Sequence, residues 1–127
     1  MAQRALVLSY SGCSTCRKAL AWLQARGVPV DVRPIVESPP TAEELADWIP
    51  RSGRPVRKWL NTSGQSYRAI GKAKVDGAKD AEIARWLTQD GKLVKRPIVV
   101  TDGHVLVGFD EAAYEELIGR GRRPARG

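Results

Sequence analysis

The segment ALVLSYSGCSTCRKALAWLQARG, residues 5–27, decides the fold, because a strand, a loop with both cysteines and a helix follow one another in it. Its apolar start, rich in Leu and Val, predicts a strand that ends at a Ser-Gly loop. Beyond the loop, apolar residues recur at helical spacing over residues 14–26, and Gly27 stands where a helix commonly ends. Cys13 and Cys16 therefore lie at the start of a predicted helix.

The remaining strand signals complete a mixed sheet. VPVDVRPIV alternates and predicts a second strand, for which Pro29 and Pro34 favour a position at the sheet edge. RPIVVTDGHVLVGF has two apolar strands around Asp102-Gly103, a strong hairpin signal, and Asp110 then caps a last helix. A βαβ unit followed by a ββα unit predicts an α/β, thioredoxin-like fold.

Helical signals fill about residues 41–89, between the two units. A capping box at Thr41–Glu44 begins one helix, and we expect Asp80 to cap a later one, with short helical turns between them. We therefore predict one thioredoxin-like domain over residues 1–119 with this helical insertion. Residues 120–127 form a basic tail that we expect to be disordered.

Composition is that of an ordinary globular chain, and its 127 residues suit one domain. No apolar stretch approaches the roughly 18 residues of a membrane span, and the N-terminal apolar run is too short for a signal peptide. We therefore expect a cytoplasmic location and no membrane partner. The net charge is +7, but four of these charges lie in the tail, so the body is only mildly basic.

Three interpretations of Cys13 and Cys16 compete: a metal site, packed side chains and a reactive thiol. A structural zinc site usually needs about four ligands, and besides the two cysteines the chain has only one histidine, His104, far along the sequence. We therefore predict no metal. Two small buried residues on a helix face are the second interpretation.

A reactive Cys13 is the interpretation that the position favours. The unpaired N–H groups and the positive dipole end of a helix N-terminus stabilise a thiolate, which is the nucleophilic form. Arg17 can reach back toward the same place, and a Cys-x-x-Cys pair near a βαβ pattern is typical of redox proteins. Cys16 either forms a disulfide with Cys13 or stays a packed thiol.

Pro97, in KRPIVV, occupies the place where thioredoxin-like folds have a cis proline that faces the reactive cysteine. Arg96 would then point toward Cys13. The alternative is a trans proline that opens a strand and leaves Arg96 in solvent.

With these residues in place, the sequence resembles the arsenate-reductase-like family of the thioredoxin superfamily, which includes glutaredoxin-linked arsenate reductases and the Spx redox regulators. The resemblance rests on the loop at 13–17, on ESPPTAEEL, on LNTSGQSYR and on KRPIVV. It implies reduction of arsenate to arsenite, with Cys13 as the nucleophile and Arg17 and Arg96 on the oxyanion. It implies no bound cofactor, and glutathione with glutaredoxin, or thioredoxin, as electron donor.

The chain departs from those reductases at three positions, where Ser9, Asn61 and Gly108 replace a histidine and two oxyanion arginines. The NTSGQSYR loop can donate hydroxyl, amide and N–H groups to an oxyanion, with Arg68 replacing a lost charge. Alternatively, the side chains of its Asn, Thr and Ser can form hydrogen bonds with their own backbone. The predicted catalytic residues are Cys13, Cys16, Arg17 and Arg96, and the predicted substrate-binding residues are Ser11, Gly12, Ser14, Thr15, Asn61, Thr62, Ser63, Tyr67, Arg68 and Pro97.

Two further functions stay open. Spx-like regulators use a Cys-x-x-Cys pair as a redox switch and bind RNA polymerase; Cys16 and the absence of an arginine at Asn61 favour this function, while NTSGQSYR does not. The other is a glutathione-dependent thiol reductase of a different substrate, with glutathione held in the hydroxyl-rich loop.

Overall fold

The structure, a computed structural model, describes residues 4–119. They form two compact units: residues 4–33 together with 96–119, which we call the sheet unit, and Pro34–Lys95, the helical unit. The predicted disordered tail, residues 120–127, lies outside the described residues. The single domain predicted over residues 1–119 remains a prediction.

The sheet unit is built on four strands, and the sheet order is β2-β1-β3-β4. β1 pairs antiparallel with β3, with Leu8 opposite Ile98, and β3 pairs antiparallel with β4. The edge position of β2 confirms what Pro29 and Pro34 predict. The strands are β1 (Ala5–Ser9), β2 (Val30–Pro34), β3 (Ile98–Val100) and β4 (Val105–Val107).

The helix α1 (Ser14–Ala25) follows the cysteine loop, as predicted. Gly27 ends it in the left-handed conformation, with φ at 72°, because a residue with a Cβ is disfavoured there. The Gly27 N–H donates to the Gln24 carbonyl and the Val28 N–H donates to the Leu23 carbonyl, so two of the last helical carbonyl groups are satisfied. This end fixes the direction in which the chain turns back into β2.

The helix α6 (Glu111–Tyr114) continues as a π-helical turn, Glu115–Gly119. Asp110 caps it by accepting from the Ala112 N–H, as predicted. The rings of Phe109 and Tyr114 meet at 4.8 Å, which is the hydrophobic staple of such an entry. The buried cluster of the sheet unit joins β1, α1, the hairpin and α6 through Ala5, Val7, Ala19, Trp22, Leu23, Val28, Val99, Leu106, Tyr114 and Ile118.

The helical unit consists of four short helices and two 3₁₀ turns. The capping box at Thr41–Glu44 is present, which confirms the predicted start of the first helix. The elements are α2 (Ala42–Ser52), the 3₁₀ turn Val56–Trp59, α3 (Gln65–Ile70), α4 (Lys72–Gly77), α5 (Asp80–Gln89) and the 3₁₀ turn Gly91–Leu93.

Two details of this unit differ from the sequence prediction. Asp80 is the first helical residue of α5 and not its cap, because Lys79 occupies the extended N-cap position. The helix α4 has no local signal strong enough to predict it, since six residues make too short a helix to be stable alone. It is held by a distant side chain: the Arg57 guanidinium donates to the carbonyl oxygens of Val75 and Ala78.

No helix within residues 4–119 is long and apolar enough to cross a membrane.

Gly91 marks the tightest backbone contact of the helical unit. A Cβ at this position would lie 1.9 Å from the carbonyl oxygen of Ile35, so one of the two backbone segments would have to move. We expect Gly91→Ala to lower the free energy of unfolding by about 3 kcal/mol, as overpacking against backbone does. Urea denaturation followed by circular dichroism measures this.

The matched control is Gly77→Ala, because Gly77 is helical and a Cβ there would meet nothing within 4 Å. We expect that variant to keep or slightly raise the free energy of unfolding. Equal denaturation midpoints for the two variants would contradict the close approach of Gly91 to Ile35.

Candidate functional site

Cys13 is the N-cap residue of α1, with an extended backbone. Its N–H donates to the Tyr10 carbonyl at 3.0 Å, so a tight turn leads from the end of β1 to the helix. Its Sγ accepts from the Cys16 N–H at 3.2 Å. The half-buried thiol therefore receives an N–H of the first helical turn, which is the position where a helix stabilises an anion.

Cys16 is fully buried one turn further along α1, and neither cysteine is in a disulfide. Burial raises the pKa of the Cys16 thiol, and its interaction with the Cys13 side chain raises it further. Hydrogen bonds with the Ser9 side chain and the Tyr10 backbone act in the opposite direction but do not prevail. Cys16 is therefore the member of the pair that holds its proton.

Arg96 supplies the positive charge beside Cys13. The Arg96–Pro97 peptide bond is cis, as the sequence predicts, and it stands directly before β3. The Gly108 N–H donates to the Pro97 carbonyl at 2.8 Å, which holds this start of the strand to the hairpin. The Arg96 guanidinium lies over the Tyr10 ring, with its central carbon 4.9 Å from the ring centroid.

These groups decide the ionisation of Cys13. Burial is the largest single influence and would raise the pKa of the thiol. Hydrogen bonds from the Cys16 side chain and N–H oppose it, together with the hydrogen bond and charge of Arg96. Their sum lowers the pKa of Cys13 below that of an ordinary cysteine, so the pair consists of one group inclined to the thiolate and one inclined to the thiol.

Arg17 bonds to the backbone of the cysteine loop. Its exposed side chain does lean toward the helix N-terminus, as helical side chains do, but the guanidinium donates to the Ser11 carbonyl at 3.2 Å. The cation that lowers the pKa of Cys13 is Arg96. Contact of Arg17 with an oxyanion stays a prediction.

The other predicted residues of the cysteine loop surround Cys13 at the surface. Ser11, Gly12 and Ser14 are exposed, and Thr15 is half-buried. Ser14 and Thr15 begin α1, so their N–H groups belong to the first turn, which has no partners within the helix. The loop therefore presents backbone donors beside the thiol. Binding of a substrate by these residues remains a prediction.

The NTSGQSYR segment, a loop followed by the start of α3, belongs to the helical unit, and its polar side chains bond within that unit. The Asn61 amide donates to the Lys92 carbonyl at 3.3 Å, and the Ser63 hydroxyl donates to Asn61 Oδ1 at 3.2 Å. The Arg68 guanidinium donates to the Ser63 carbonyl at 3.0 Å. Asn61 thus bonds to distant backbone, Ser63 to a side chain and Arg68 to nearby backbone, so both alternatives for this segment stay predictions. Thr62 is exposed and Tyr67 half-buried, and oxyanion binding by this loop stays a prediction.

Two partners of the cysteines are not predicted from the sequence. Ser9, which departs from the family pattern, forms a side-chain hydrogen bond with Cys16. Tyr10 contacts Cys13 through its carbonyl and Arg96 through its ring. The one sequence signal for Tyr10 is an aromatic residue directly after β1, next to the Ser-Gly loop. No group of three or more metal-ligating side chains occurs among the described residues.

A mixed four-stranded sheet with a cysteine at the head of its first helix and a cis proline before its third strand defines a thioredoxin-like protein with a thiol site. The chain belongs to the ArsC family, whose model matches residues 8–117.

Three similar proteins agree with this assignment. The uncharacterized protein YusI of Bacillus subtilis is 40% identical over 108 residues, which cover 84% of this chain and 92% of YusI. An ArsC family related protein from Bacteroides fragilis has 44% identity and a TM-score of 0.85, over 91% of this chain and 98% of that one. A possible arsenate reductase from Streptococcus mutans has 39% identity and a TM-score of 0.80, over the same shares.

Regulators occur among the more distant relatives. The global transcriptional regulator Spx 1 of Lactococcus lactis is 27% identical over 113 residues, which cover 89% of this chain and 88% of the regulator. Family membership therefore leaves open whether this chain is an enzyme or a regulator.

The opposite pKa shifts of the two cysteines predict selective alkylation. Iodoacetamide reacts with thiolates, so we expect it to modify Cys13 in the folded protein and to leave Cys16 largely unmodified. Because the pKa of Cys13 is lowered, its reaction rate should rise at a lower pH than that of free cysteine. Peptide mass spectrometry after timed quenching measures both sites separately.

The control is the same reaction in urea, where unfolding removes the difference in burial and both cysteines should react alike. Faster modification of Cys16 than of Cys13 in the folded protein would contradict the site as described.

Proposed function

We propose that the protein is a thiol-dependent oxidoreductase that reduces an oxyanion, with arsenate as the leading substrate. The observation that carries the proposal is the placement of the Cys13 thiol at a helix N-terminus beside Arg96. A thiolate there is a nucleophile, and a guanidinium with helix N–H groups suits a tetrahedral oxyanion. Membership of the ArsC family supports the same chemistry.

The proposed reaction begins with attack of the Cys13 thiolate on arsenic(V). A sulfur–arsenic bond forms, and one arsenate oxygen leaves as water after taking up protons. Arg96, and Arg17 if it turns from Ser11, would stabilise the negative charge on the remaining oxygens. Arginine suits this role because its planar fork binds two oxygens at once.

A second thiol completes the reduction. It attacks Cys13 Sγ, a disulfide forms, and the electron pair of the sulfur–arsenic bond passes to arsenic, which leaves as arsenite. Two sulfurs are oxidised by one electron each, and arsenic is reduced by two. The second thiol is either glutathione, with glutaredoxin regenerating Cys13, or Cys16, with thioredoxin reducing the internal disulfide. The direct interaction of the Cys16 and Cys13 side chains supports the second route. A cytoplasmic location belongs to this proposal, because both donors are present there.

The first test is arsenate reduction by the purified protein. We expect turnover with either glutathione plus glutaredoxin or thioredoxin, and complete loss of turnover in Cys13→Ser with both donors, because the hydroxyl is not a comparable nucleophile at neutral pH. The Cys16→Ala variant then identifies the donor. If Cys16 is the second thiol, this variant loses turnover with thioredoxin. If glutathione is the second thiol, the variant keeps turnover with glutathione plus glutaredoxin. Turnover that survives Cys13→Ser would overturn the mechanism.

The second test concerns Arg96. We expect Arg96→Lys to lower kcat/KM for arsenate by about ten-fold, since the charge remains but the planar fork is lost. The matched control is Arg54→Lys, an exposed arginine of the helical unit, which should leave kcat/KM unchanged. Equal activities of the two variants would show that Arg96 does not bind the oxyanion.

A redox-sensing regulator is the second candidate, and the similarity to Spx 1 favours it. In that case the chain binds RNA polymerase, and the state of Cys13 and Cys16 controls binding. Purified RNA polymerase passed over the immobilised protein, once reduced and once oxidised, tests this function. Retention that depends on oxidation, together with no arsenate turnover, would favour the regulator over the enzyme. Retention in neither state would exclude it.

A further inference from the structure

We propose that Tyr10 is a positioning residue, whose ring holds the Arg96 guanidinium beside the Cys13 thiol. The inference deepens the proposed function and rests on it, because holding the arginine matters only if Cys13 is reactive. The substrate class it serves is the same, an oxyanion bound between a thiolate and a guanidinium.

The sheet register brings the two residues together. β1 and β3 are antiparallel, with Leu8 opposite Ile98. The pairing ends at Leu8 and Ile98; Tyr10 follows β1, and Arg96 precedes the cis bond that leads into β3. The end of one strand and the start of its antiparallel partner lie at the same end of the pair, so the two residues are near each other. The contact between the Arg96 guanidinium and the Tyr10 ring is observed there.

The geometry is that of a cation–π interaction. The guanidinium carbon lies 4.9 Å from the ring centroid, within the roughly 6 Å at which such attraction operates. The Tyr10 side chain is 37% exposed, which is unusual for a large apolar ring in this chain. The contact with the Arg96 guanidinium explains why the Tyr10 ring lies at the surface.

Tyr10 also contacts the thiol site through its backbone. Its carbonyl accepts from the Cys13 N–H at 3.0 Å. One tight turn therefore holds Tyr10 and Cys13 together, and the Tyr10 ring of this turn contacts the Arg96 guanidinium. An arginine side chain alone has many rotamers, and a ring fixed to the same turn as Cys13 restricts them.

Gly12 leaves room for this arrangement. A Cβ on Gly12 would lie 3.1 Å from Tyr10 Cε2, closer than most such contacts, so the ring would have to shift by a few tenths of an ångström. Glycine at this position is explained by the ring beside it. Gly12, predicted from the sequence to bind substrate, acts in this proposal through Tyr10.

The test measures the reactivity of Cys13 toward iodoacetamide, which does not depend on arsenate turnover. At mildly acidic pH, where only part of Cys13 is thiolate, we expect Tyr10→Leu to slow the reaction about three-fold, because the arginine is held less firmly. Tyr10→Phe keeps the ring and should restore the wild-type rate. At alkaline pH, where the thiolate forms without help, all three proteins should react alike.

A second arm separates this role from a merely structural one. In an Arg96→Leu background, Tyr10→Leu should have no further effect, because the ring has no cation to hold. If Tyr10→Leu fails to fold, Gly12→Ala replaces it, and a smaller slowing is expected, again only in the presence of Arg96. The proposal is overturned if Tyr10→Leu reacts like wild type at mildly acidic pH, or if the slowing persists without Arg96. If the wild-type protein shows no arsenate turnover although its Cys13 reacts as expected with iodoacetamide, the proposed function alone is refuted.

Discussion

The site depends on one constraint, the antiparallel register between β1 and β3. It brings Arg96, which stands before β3, to the turn that follows β1, where Cys13 begins α1. Burial is the largest single influence on the pKa of Cys13 and raises it; the Cys16 side chain and N–H oppose burial, and Arg96 adds a hydrogen bond and a charge that lower the pKa further. The sheet therefore does more than support the site, since it delivers the positive charge that favours the thiolate over the thiol.

The division of labour between the two cysteines follows from the same arrangement. Cys13, half-buried at the N-cap, receives the Cys16 N–H and the Arg96 guanidinium. Cys16, one turn deeper, is fully buried and has its proton favoured. Cys13 and Cys16 are the same residue type, but their pKa values differ because the two side chains differ in burial and in neighbouring groups. This asymmetry suits an enzyme and a disulfide switch alike.

Much of the fold was predictable because its signals are local. The cysteine loop, the glycine that ends α1 and the Asp102-Gly103 hairpin carry their own pattern in the sequence, and each is confirmed. The cis bond before Pro97 is also found, but it was expected from the place of Pro97 in a thioredoxin-like fold and not from a local pattern. The elements that escaped prediction depend on distant partners: α4 is held by Arg57, which comes many residues earlier. The site divides in the same way. Cys13 could be predicted as a site residue from its position before a helix. The Tyr10–Arg96 contact could not be predicted, because it depends on how β1 and β3 pair. The bond of Arg17 to Ser11 could not be predicted either, because it depends on the geometry of the loop.

The most direct measurement is a pH titration of the two cysteines by NMR, following the ¹³Cβ signals of Cys13 and Cys16 in the reduced protein. The expected result is that Cys13 ionises at a lower pH than free cysteine and before Cys16, and that Arg96→Leu moves the Cys13 titration to higher pH. Ionisation of Cys16 first, or a Cys13 titration that is unchanged by Arg96→Leu, would contradict the claim that the helix N-terminus and Arg96 together make Cys13 the reactive thiol.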